Sequence, residues 1–279
     1  RGKLLGGSSS INGLVFVRGQ QLDYDTWGQL GNRGWSYDDV LPTFKRMEDY
    51  EHGSNDLRSQ GGPLKVSNAT DEGPLYDALR DAATELGIPH NPDYNGVSQE
   101  GIVRTQTTIS NGVRMSTARC YLKPIKNRKN LRIETGAHTQ KVIMEGKRCV
   151  GVDYHCKGKT IRAKASKEVI ICTGGVASPQ LLELSGIGQP ELLRSHGIKI
   201  EHELMGVGEH LRDHINAPIK FHMKRGDLSY NKRMQGLGPA WQVLRYLFQK
   251  RGFMSLPSAP MLAFLRTRDD METPDVQMH

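Results

Sequence analysis

Three short segments of the chain combine glycines with hydroxyl or carboxyl side chains, and each could bring the backbone close to an anionic ligand. They are Gly6-Gly7-Ser8-Ser9-Ser10-Ile11-Asn12, residues 173–188, which open with Thr173-Gly174-Gly175, and residues 206–214. Because glycine has no side chain, backbone N–H groups around it can approach a phosphate, and serine hydroxyls add donors beside them. A helix that began within the serines would favour a pyrophosphate through its dipole.

Each segment also has a purely structural interpretation. The first could be a tight turn or a linker, and the second could be a strand-to-helix connection that needs glycine for close packing. In open α/β sheets, however, ligands bind where such connections leave the carboxyl ends of strands. None of the three segments reads G-x-G-x-x-G, so the motifs alone do not name a nucleotide.

Two other kinds of chemistry are disfavoured by the same residues. His210 and His214 are four residues apart and would share one face of a helix, but two histidines are too few for a zinc site. Glu209 precedes His210, whereas the metalloprotease motif H-E-x-x-H places the glutamate after the first histidine. Ser178 does not lie in G-x-S-x-G. We predict neither a metal site nor a hydrolase nucleophile.

Helices and a loop are predicted in the first part of the chain. Ser36 and Asp39 predict an N-terminal cap for a helix whose apolar residues have helical spacing, although Pro42 lies in its first turns. Residues 51–63 are polar and glycine-rich and predict a loop. A second helix, which ends at Gly87, is predicted from an apolar stripe. The stripe consists of Leu75, Leu79, Ala82 and Leu86.

A meander of hairpins is predicted from residue 130 onward. The four strands are residues 131–135, 139–144, 149–155 and 160–165, with glycine-centred turns at Gly146 and Gly158. A further strand is predicted over residues 168–173, whose core Val169-Ile170-Ile171 is an unbroken apolar run typical of a strand buried on both faces. Helices are then predicted from Ser178 to Leu184 and from Pro190 to Ser195, followed by a strand at residues 198–200.

These elements predict an α/β fold, α+β overall, with a Rossmann-like sheet of the dinucleotide-binding type and an inserted β-meander. After residue 216 the composition changes to an apolar helix around Trp241 and two short strands. We predict one region over residues 1–215 and the beginning of a second region over residues 216–279.

Composition limits the class of protein. Hydrophobic residues make up 37% and charged residues 24% of the chain, which is typical of a globular domain. The net charge is +8, but no lysine and arginine block is interleaved with aromatics, so no nucleic-acid partner is predicted. Four cysteines without C-x-x-C spacing favour a reducing compartment. No apolar run approaches the ~18 residues that cross a bilayer, and both chain ends look cut.

Taken together, the three segments resemble the glucose–methanol–choline oxidoreductases. Residues 1–15 resemble the first signature of that family and residues 174–188 its second, with Gly175 where alanine is usual. Residues 206–214 resemble a third stretch, with His210 replacing the common asparagine and Met205 preceding it in place of a common proline. Weaker similarities are Asp93-Tyr94-Asn95-Gly96, residues 116–122 and residues 274–277.

The resemblance implies functions for the two regions. Residues 1–215 would be an FAD-binding region with inserted lid or substrate segments around residues 36–110, and residues 216–279 would begin a substrate-binding domain. Both regions would be incomplete.

The resemblance also implies an FAD cofactor and a set of residues that contact it. Residues Asn12, Gly13, Leu14 and Val15 would lie against FAD, and a main-chain contact to adenine would fall on Thr139. Asp213 would lie near the ribityl or pyrophosphate part. The full predicted cofactor set is Leu4, Gly6, Gly7, Asn12, Gly13, Leu14, Val15, Thr139, Gly174, Gly175 and Asp213. This FAD-binding interpretation requires the turns at residues 6–15 and 173–175 to bind the same flavin.

The implied reaction is oxidation of the CH–OH group of choline or an aliphatic primary alcohol, with hydride transfer to flavin N5. The family's catalytic histidine would lie beyond His279 and its G-x-G-x-x-G turn before Arg1, so none of the ten histidines inherits the catalytic role. The electron acceptor would be a quinone or oxygen. A cytoplasmic location is predicted, with peripheral membrane contact and oligomeric state left open. The alternatives are a non-catalytic truncated fragment, an oxidase of the same family or a hydroxynitrile lyase.

Overall fold

The computed structural model describes residues 1–70 and 73–279 and contains two compact units. Unit 1 comprises Arg1–Arg128 and His222–His279, and unit 2 comprises Lys129–Phe221. Each unit has a hydrophobic core of its own. The predicted functional division after residue 215 stays a prediction.

The described residues contain both helices and strands. The helices are α1 Gln21–Gln29, α2 Tyr37–Met47, α3 Pro74–Glu85, α4 Gly174–Leu184, α5 Pro190–Ser195, α6 Tyr230–Arg233 and α7 Gly238–Gln249. The strands are β1 Glu48–Tyr50, β2 Leu64–Asn68, β3 Gly101–Arg104, β4 Gln106–Thr107, β5 Ile109–Ser110, β6 Val113–Arg114, β7 His138–Glu145, β8 Arg148–Cys156, β9 Lys159–Lys164, β10 Ile187–Gly188, β11 His202–Glu203, β12 Met261–Leu265 and β13 Val276–Met278. No helix in the described part of the chain is long and apolar enough to cross a membrane.

Helix α2 begins where its capping residues predict. Ser36 and Asp39 form a reciprocal capping box, in which each side chain bonds the other residue's backbone. This satisfies backbone donors that the first turn of a helix leaves without intrahelical partners. Pro42 lies inside the helix without ending it. The predicted helix and the predicted loop over residues 51–63 are confirmed.

Helix α3 is also confirmed, but it packs through a different face from the one predicted. Its buried residues are Tyr76 and Ala83, which are seven residues apart and therefore lie on one side of the helix two turns apart. They pack against Ile102 and Met261. Leu79 of the predicted leucine stripe is instead exposed. The strands on which α3 rests come from distant parts of the chain, so the stripe alone did not select the buried face.

Three small sheets form the rest of unit 1. Strand β12 lies between β13 and β3 and is antiparallel to both, and Leu262 and Phe264 of β12 pack against Tyr94 and Val103. Strand β2 pairs in parallel with β1 and antiparallel with β4, and β5 and β6 form a hairpin. The two strands and the helix predicted after residue 216 are confirmed as β12, β13 and α7.

The meander predicted for unit 2 is confirmed as the antiparallel sheet β7-β8-β9. Gly146 and Gly158 occupy its two turns at φ angles of 60° and 76°, a region that glycine enters without steric cost. Helix α4 packs on this sheet through a core of Val142, Leu181, Ile187 and Val207. The short strands β10 and β11 pair in parallel.

Three predicted strands of unit 2 are wrong. Residues 131–135 and 168–173 have no strand assignment, and Ile170 is 75% exposed although Ile171 packs against the core. An apolar run indicates burial but does not supply the neighbouring strand that a ladder requires. Residues 198–200 are not a strand because the Ile198 N–H donates to Leu193 O at the end of α5. The strand begins four residues later, as β11.

Candidate functional site

The first glycine segment folds into a compact turn. Gly6 and Gly7 have φ angles of 88° and 53°, and residues Gly7–Ser10 form a 3₁₀-helix. Ser9 Oγ donates to Gly6 O at 2.5 Å, and Ser10 Oγ donates to Leu5 O at 2.9 Å. Each hydroxyl has only one proton to donate. The Ser9 and Ser10 hydroxyls therefore hold the turn together, and the expectation that they add donors for a ligand is corrected for these two residues.

This turn is fastened to the segment around Thr117. The Thr117 backbone N–H donates to Ser9 Oγ at 3.0 Å, and its hydroxyl donates to Gly6 O at 3.2 Å. A Cβ atom at Gly6 would lie 2.5 Å from Ser10 Oγ and 3.1 Å from Ala118 Cβ. Gly6 is thus required by internal packing as well as by its positive φ angle. A Cβ atom at Gly7 would have no atom within 4 Å, so the space beside Gly7 is open.

Residues 12–15 are held by contacts on both sides. Asn12 Oδ1 accepts hydrogen bonds from Leu14 N at 3.2 Å and from Arg114 at 2.8 Å. Gly13 O accepts from Ser258 N at 2.9 Å, and Leu14 O accepts from Thr108 N at 3.0 Å. Leu14 is buried at a φ angle of 68°, which is unusual for a residue with a side chain. These contacts fix an otherwise unfavourable backbone.

The outer surface of the same segment is accessible. Asn12 and Gly13 are exposed, and Leu4 is 53% exposed despite its apolar side chain. Asn12 Nδ2 donates to no residue in the described part of the chain. Val15 forms an isolated antiparallel bridge with Thr107. The predicted unit 1 residues therefore lie in one short segment, residues 4–15. It is exposed at Asn12 and Gly13, and the Asn12 amide donor has no partner among the described residues.

The predicted contacts of unit 2 lie on β7 and at the start of α4. Thr139 pairs with Tyr154 of β8 next to a register shift. Helix α4 begins at Gly174, four residues before the predicted start at Ser178, so the double glycine is the first turn of the helix and not a turn before it. Both glycines are exposed, and a Cβ at either would meet no atom within 4 Å.

The third glycine segment has a structural role that the sequence did not reveal. Val207 is buried in the core of unit 2. A Cβ at Gly208 would lie 2.6 Å from Glu183 Oε1, so the close approach at this glycine is to the chain itself. Asp213 is exposed, and its Oδ1 accepts a hydrogen bond from His214 N at 2.8 Å.

His210 and His214 are not on a helix. His210 has a φ angle of 57°, and residues 209–223 carry no secondary structure. The helical geometry that would place both rings on one face is therefore absent. Within residues 1–70 and 73–279 no group of three or more histidine, cysteine, aspartate or glutamate side chains could hold a metal ion.

A buried ionic cluster in unit 1 was missed by the sequence analysis. Arg58 donates through Nε to Glu48 Oε1 at 2.8 Å and through Nη1 to Asp93 Oδ1 at 2.5 Å. Glu48 also pairs with Arg18. The side chains of Arg58 and Glu48 are 0% and 1% exposed. Two cations and two anions balance within the cluster, as burial of charge requires. The only signal was the motif containing Asp93, noted for its resemblance and not for its contacts.

Two tyrosines next to this cluster keep their protons. Burial, together with the nearby Asp93 carboxylate, raises the pKa of the Tyr50 hydroxyl to about 12. Burial also raises the pKa of Tyr94 well above its usual value. Tyr94 Oη therefore stays a donor at neutral pH, and it donates to Phe16 O at 2.9 Å.

Two cavities of unit 1 lie apart from the predicted cofactor residues. One has a volume of about 650 Å³ and is bordered by Arg18, Tyr94 and Asn95. The other, of about 410 Å³, lies between Lys65, Asn111 and Lys250. None of the eleven predicted cofactor residues borders either cavity. The exposed residues Asn12 and Gly13, and not a closed pocket, are the feature of unit 1 that fits the predicted contacts.

Comparison with known proteins identifies the class to which this fold belongs. Residues 1–216 match the family model described as GMC oxidoreductase, and the chain belongs to that family. The suspected resemblance and the predicted α/β class are confirmed.

Individual relatives agree with this assignment. The chain is 39% identical over 281 positions to an oxygen-dependent choline dehydrogenase of Photobacterium profundum and 42% identical over 282 positions to oxygen-dependent choline dehydrogenase 1 of Chromohalobacter salexigens. Each alignment covers 100% of this chain but 49% and 50% of the relative. The chain thus spans about half the length of the curated relatives it matches.

Solved structures resemble the chain over nearly its whole length. A formate oxidase of Aspergillus oryzae RIB40 aligns with a TM-score of 0.85 and 27% identity, covering 94% of this chain and 47% of the oxidase. An FAD-dependent oxidoreductase of Chaetomium thermophilum aligns with a TM-score of 0.80 and 27% identity, covering 92% of this chain and 48% of that protein.

Proposed function

We propose that the full-length protein containing this chain is an FAD-dependent oxidoreductase that acts on the CH–OH group of choline or an aliphatic primary alcohol. The observation that carries this proposal is the alignment of the entire chain with choline dehydrogenases at 39% and 42% identity. The names of those relatives supply the substrate class, and membership of the GMC family supplies the type of reaction.

The residues of unit 1 fit a flavin nucleotide. Asn12 presents an amide donor with no partner in the described part of the chain, and the backbone of Gly13 beside it is exposed. Leu4 offers an apolar side chain to a ring system from the same turn. Leu14 and Val15 would contribute their backbone. Leu14 O accepts a hydrogen bond from Thr108 N, and Val15 forms a bridge with Thr107, so both positions are fixed. A rigid segment loses little conformational freedom when a ligand binds.

The residues of unit 2 fit the anionic and adenine parts. Gly174 and Gly175 expose backbone N–H groups in the first turn of α4, with open space where side chains would stand. Helix N-termini favour phosphate groups because their N–H groups are free and their dipole is positive there. Thr139 would contribute its main chain and Asp213 its carboxylate to the same cofactor. That both units bind one flavin stays part of the proposal.

When bound, FAD supplies the hydride acceptor for alcohol oxidation at its N5 atom. This chain's residues would bind and orient the cofactor, and the proton acceptor would come from the predicted histidine beyond His279. Oxygen or a quinone would accept the electrons afterwards. The proposed location is the cytoplasm, with peripheral membrane contact. The alternative functions are those of an oxidase of the same family, a hydroxynitrile lyase or a non-catalytic fragment.

Anaerobic reduction of the full-length protein tests this function. Purified protein should carry a yellow flavin whose visible absorption bleaches when choline or a primary alcohol is added. The matched control is a quaternary ammonium compound without a hydroxyl group, which should leave the spectrum unchanged. A flavin that no alcohol in a broad panel bleaches would contradict the assigned chemistry.

A further inference from the structure

We infer that Asn95 is a positioning residue for the cofactor-binding segment at residues 12–15, acting through the backbone of residues 16–18. The inference rests on the proposed function. It is carried by three hydrogen bonds of one buried side chain and by the ionic cluster that holds that side chain in place.

The Asn95 amide joins two backbone groups that flank Val17. Its Nδ2 donates to Phe16 O at 3.1 Å, and its Oδ1 accepts from Arg18 N at 2.7 Å. A neighbouring strand would contact an extended segment in the same way, through one acceptor and one donor two residues apart. The second Nδ2 hydrogen goes to Gln106 Oε1 at 2.8 Å. Asn95 is 4% exposed, and both ends of its amide are used.

Phe16 is also fixed by its other neighbours. Its N–H donates to Gln106 O at 2.8 Å, and its carbonyl accepts a second hydrogen bond from Tyr94 Oη. The same hydroxyl accepts from Gln106 N at 2.8 Å. The Tyr94–Asn95 pair and β4 therefore hold Phe16 between them, one residue after Val15.

The ionic cluster fixes the position of Asn95. The Asn95 N–H donates to Asp93 Oδ1 at 3.1 Å, and this carboxylate is paired with the fully buried Arg58. Arg58 in turn pairs with Glu48, which also binds Arg18. The contacts thus close a ring that begins and ends at Arg18. Removing a charged member of this ring would leave a buried charge unpaired.

A shift at Phe16 would reach the cofactor segment because little chain separates them. Leu14 already has a φ angle of 68°, and a Cβ at Gly13 would stand 2.2 Å from Ser258 Oγ. A backbone this tightly packed has few neighbouring conformations, so displacement would move Asn12 and Gly13 out of register with a bound ligand. An error of about 1 Å in a positioned group is enough to impair its function.

The test uses the full-length protein with Asn95→Asp and Asn95→Ala. The Asp variant is nearly isosteric but turns the Nδ2 donor into an acceptor facing Phe16 O and Gln106 Oε1. We expect FAD to dissociate at least about tenfold more readily from both variants, and the visible circular dichroism of the bound flavin to change. Tyr94→Phe, which removes only the hydroxyl, should give a smaller change of the same kind and remains informative if the Asn95 variants do not fold.

The matched control is Gln242→Ala. Gln242 is also a buried amide, and its Oε1 accepts a hydrogen bond from Phe253 N at 3.2 Å. In the described part of the chain it bonds neither residues 16–18 nor the ionic cluster. Its replacement should lower the melting temperature without altering the flavin dichroism. Equal flavin loss in the Gln242 and Asn95 variants would reduce Asn95 to a general structural role and overturn the inference. Wild-type protein that binds no FAD would instead refute the proposed function, whereas unchanged flavin in the Asn95 variants would refute only this inference.

Discussion

At the scale of single residues, the two ends of the Asn12 amide have different surroundings. Its Oδ1 accepts hydrogen bonds from Leu14 N and Arg114, whereas its Nδ2 donates to no residue in the described ranges. Asn12→Ala should therefore lower the free energy of unfolding by about 1 kcal/mol and weaken FAD retention in the full-length protein. Urea unfolding and the ratio of flavin to purified protein measure the two effects.

The control for this prediction is Asn12→Asp. An aspartate keeps the Oδ1 acceptor, so the turn and the unfolding free energy should be preserved, but it removes the donor and adds a negative charge beside an anionic cofactor. FAD retention should consequently fall in this variant as well. Full flavin content in Asn12→Asp would show that Asn12 serves only the turn and that its carry-over from the family is mistaken.

At the scale of elements, a cross-strand ion pair links acid stability to the meander. Asp153 of β8 is directly opposite Arg162 of β9 and receives two hydrogen bonds from it, each of 2.9 Å. These bonds lower the pKa of the Asp153 carboxyl. The pair therefore stabilises the folded state above the unfolded-state pKa of an aspartate, about 3.9. This stabilisation is lost as the pH falls through the lowered folded-state pKa.

We expect Asp153→Asn to flatten the acid-side dependence of unfolding free energy on pH, measured by urea unfolding in a series of buffers. The effect should be small, because Arg162 is 57% exposed and solvent screens the pair. Arg162→Gln keeps the carboxylate but removes its partner and should flatten the same region. An acid-side slope that neither substitution changes would refute a contribution of this pair.

Elements whose signals are local could be predicted from the sequence, and those that depend on distant partners could not. The capping box at Ser36 and the turns at Gly146 and Gly158 depend on residues that are close together in the sequence. They lie at the predicted positions. The strand predicted over residues 168–173 was wrong because an apolar run indicates burial but does not identify the strand that would pair with it. Among the candidate site residues, Gly174 and Gly175 were identified from the sequence, but their position in the first turn of α4 was not predicted.

The buried ionic cluster had no local signal at all. Arg18 and Glu48 are 30 positions apart, and Arg58 and Asp93 are 35 apart, so only the folded chain shows that they meet. A lone arginine or aspartate in a sequence most often belongs to a solvated surface. Residue patterns could therefore name the segment that would contact a cofactor but not the residues that hold it in place.

At the scale of the whole molecule, the predicted cofactor residues lie in a chain about half as long as its relatives. The G-x-G-x-x-G turn that cradles a pyrophosphate does not occur in residues 1–279. Large apolar side chains are also exposed within each unit, such as Phe248 of α7 in unit 1 and Ile170 in unit 2, at 83% and 75%. We therefore expect residues 1–279 alone to retain FAD far below one molecule per chain, whereas the full-length protein should retain it stoichiometrically.

Both proteins should be purified in parallel and their ratios of flavin absorbance to protein absorbance compared, with far-ultraviolet circular dichroism to establish that the shorter one is folded. Adding excess FAD separates weak binding from none, because a folded chain with only part of the site should show saturable but weak quenching of flavin fluorescence. Asn12→Ala in the same chain should abolish that quenching if residues 12–15 contribute their contacts independently. A stoichiometric yellow complex of residues 1–279 alone would mean that the turns of this chain suffice for the cofactor and that the predicted upstream turn is dispensable.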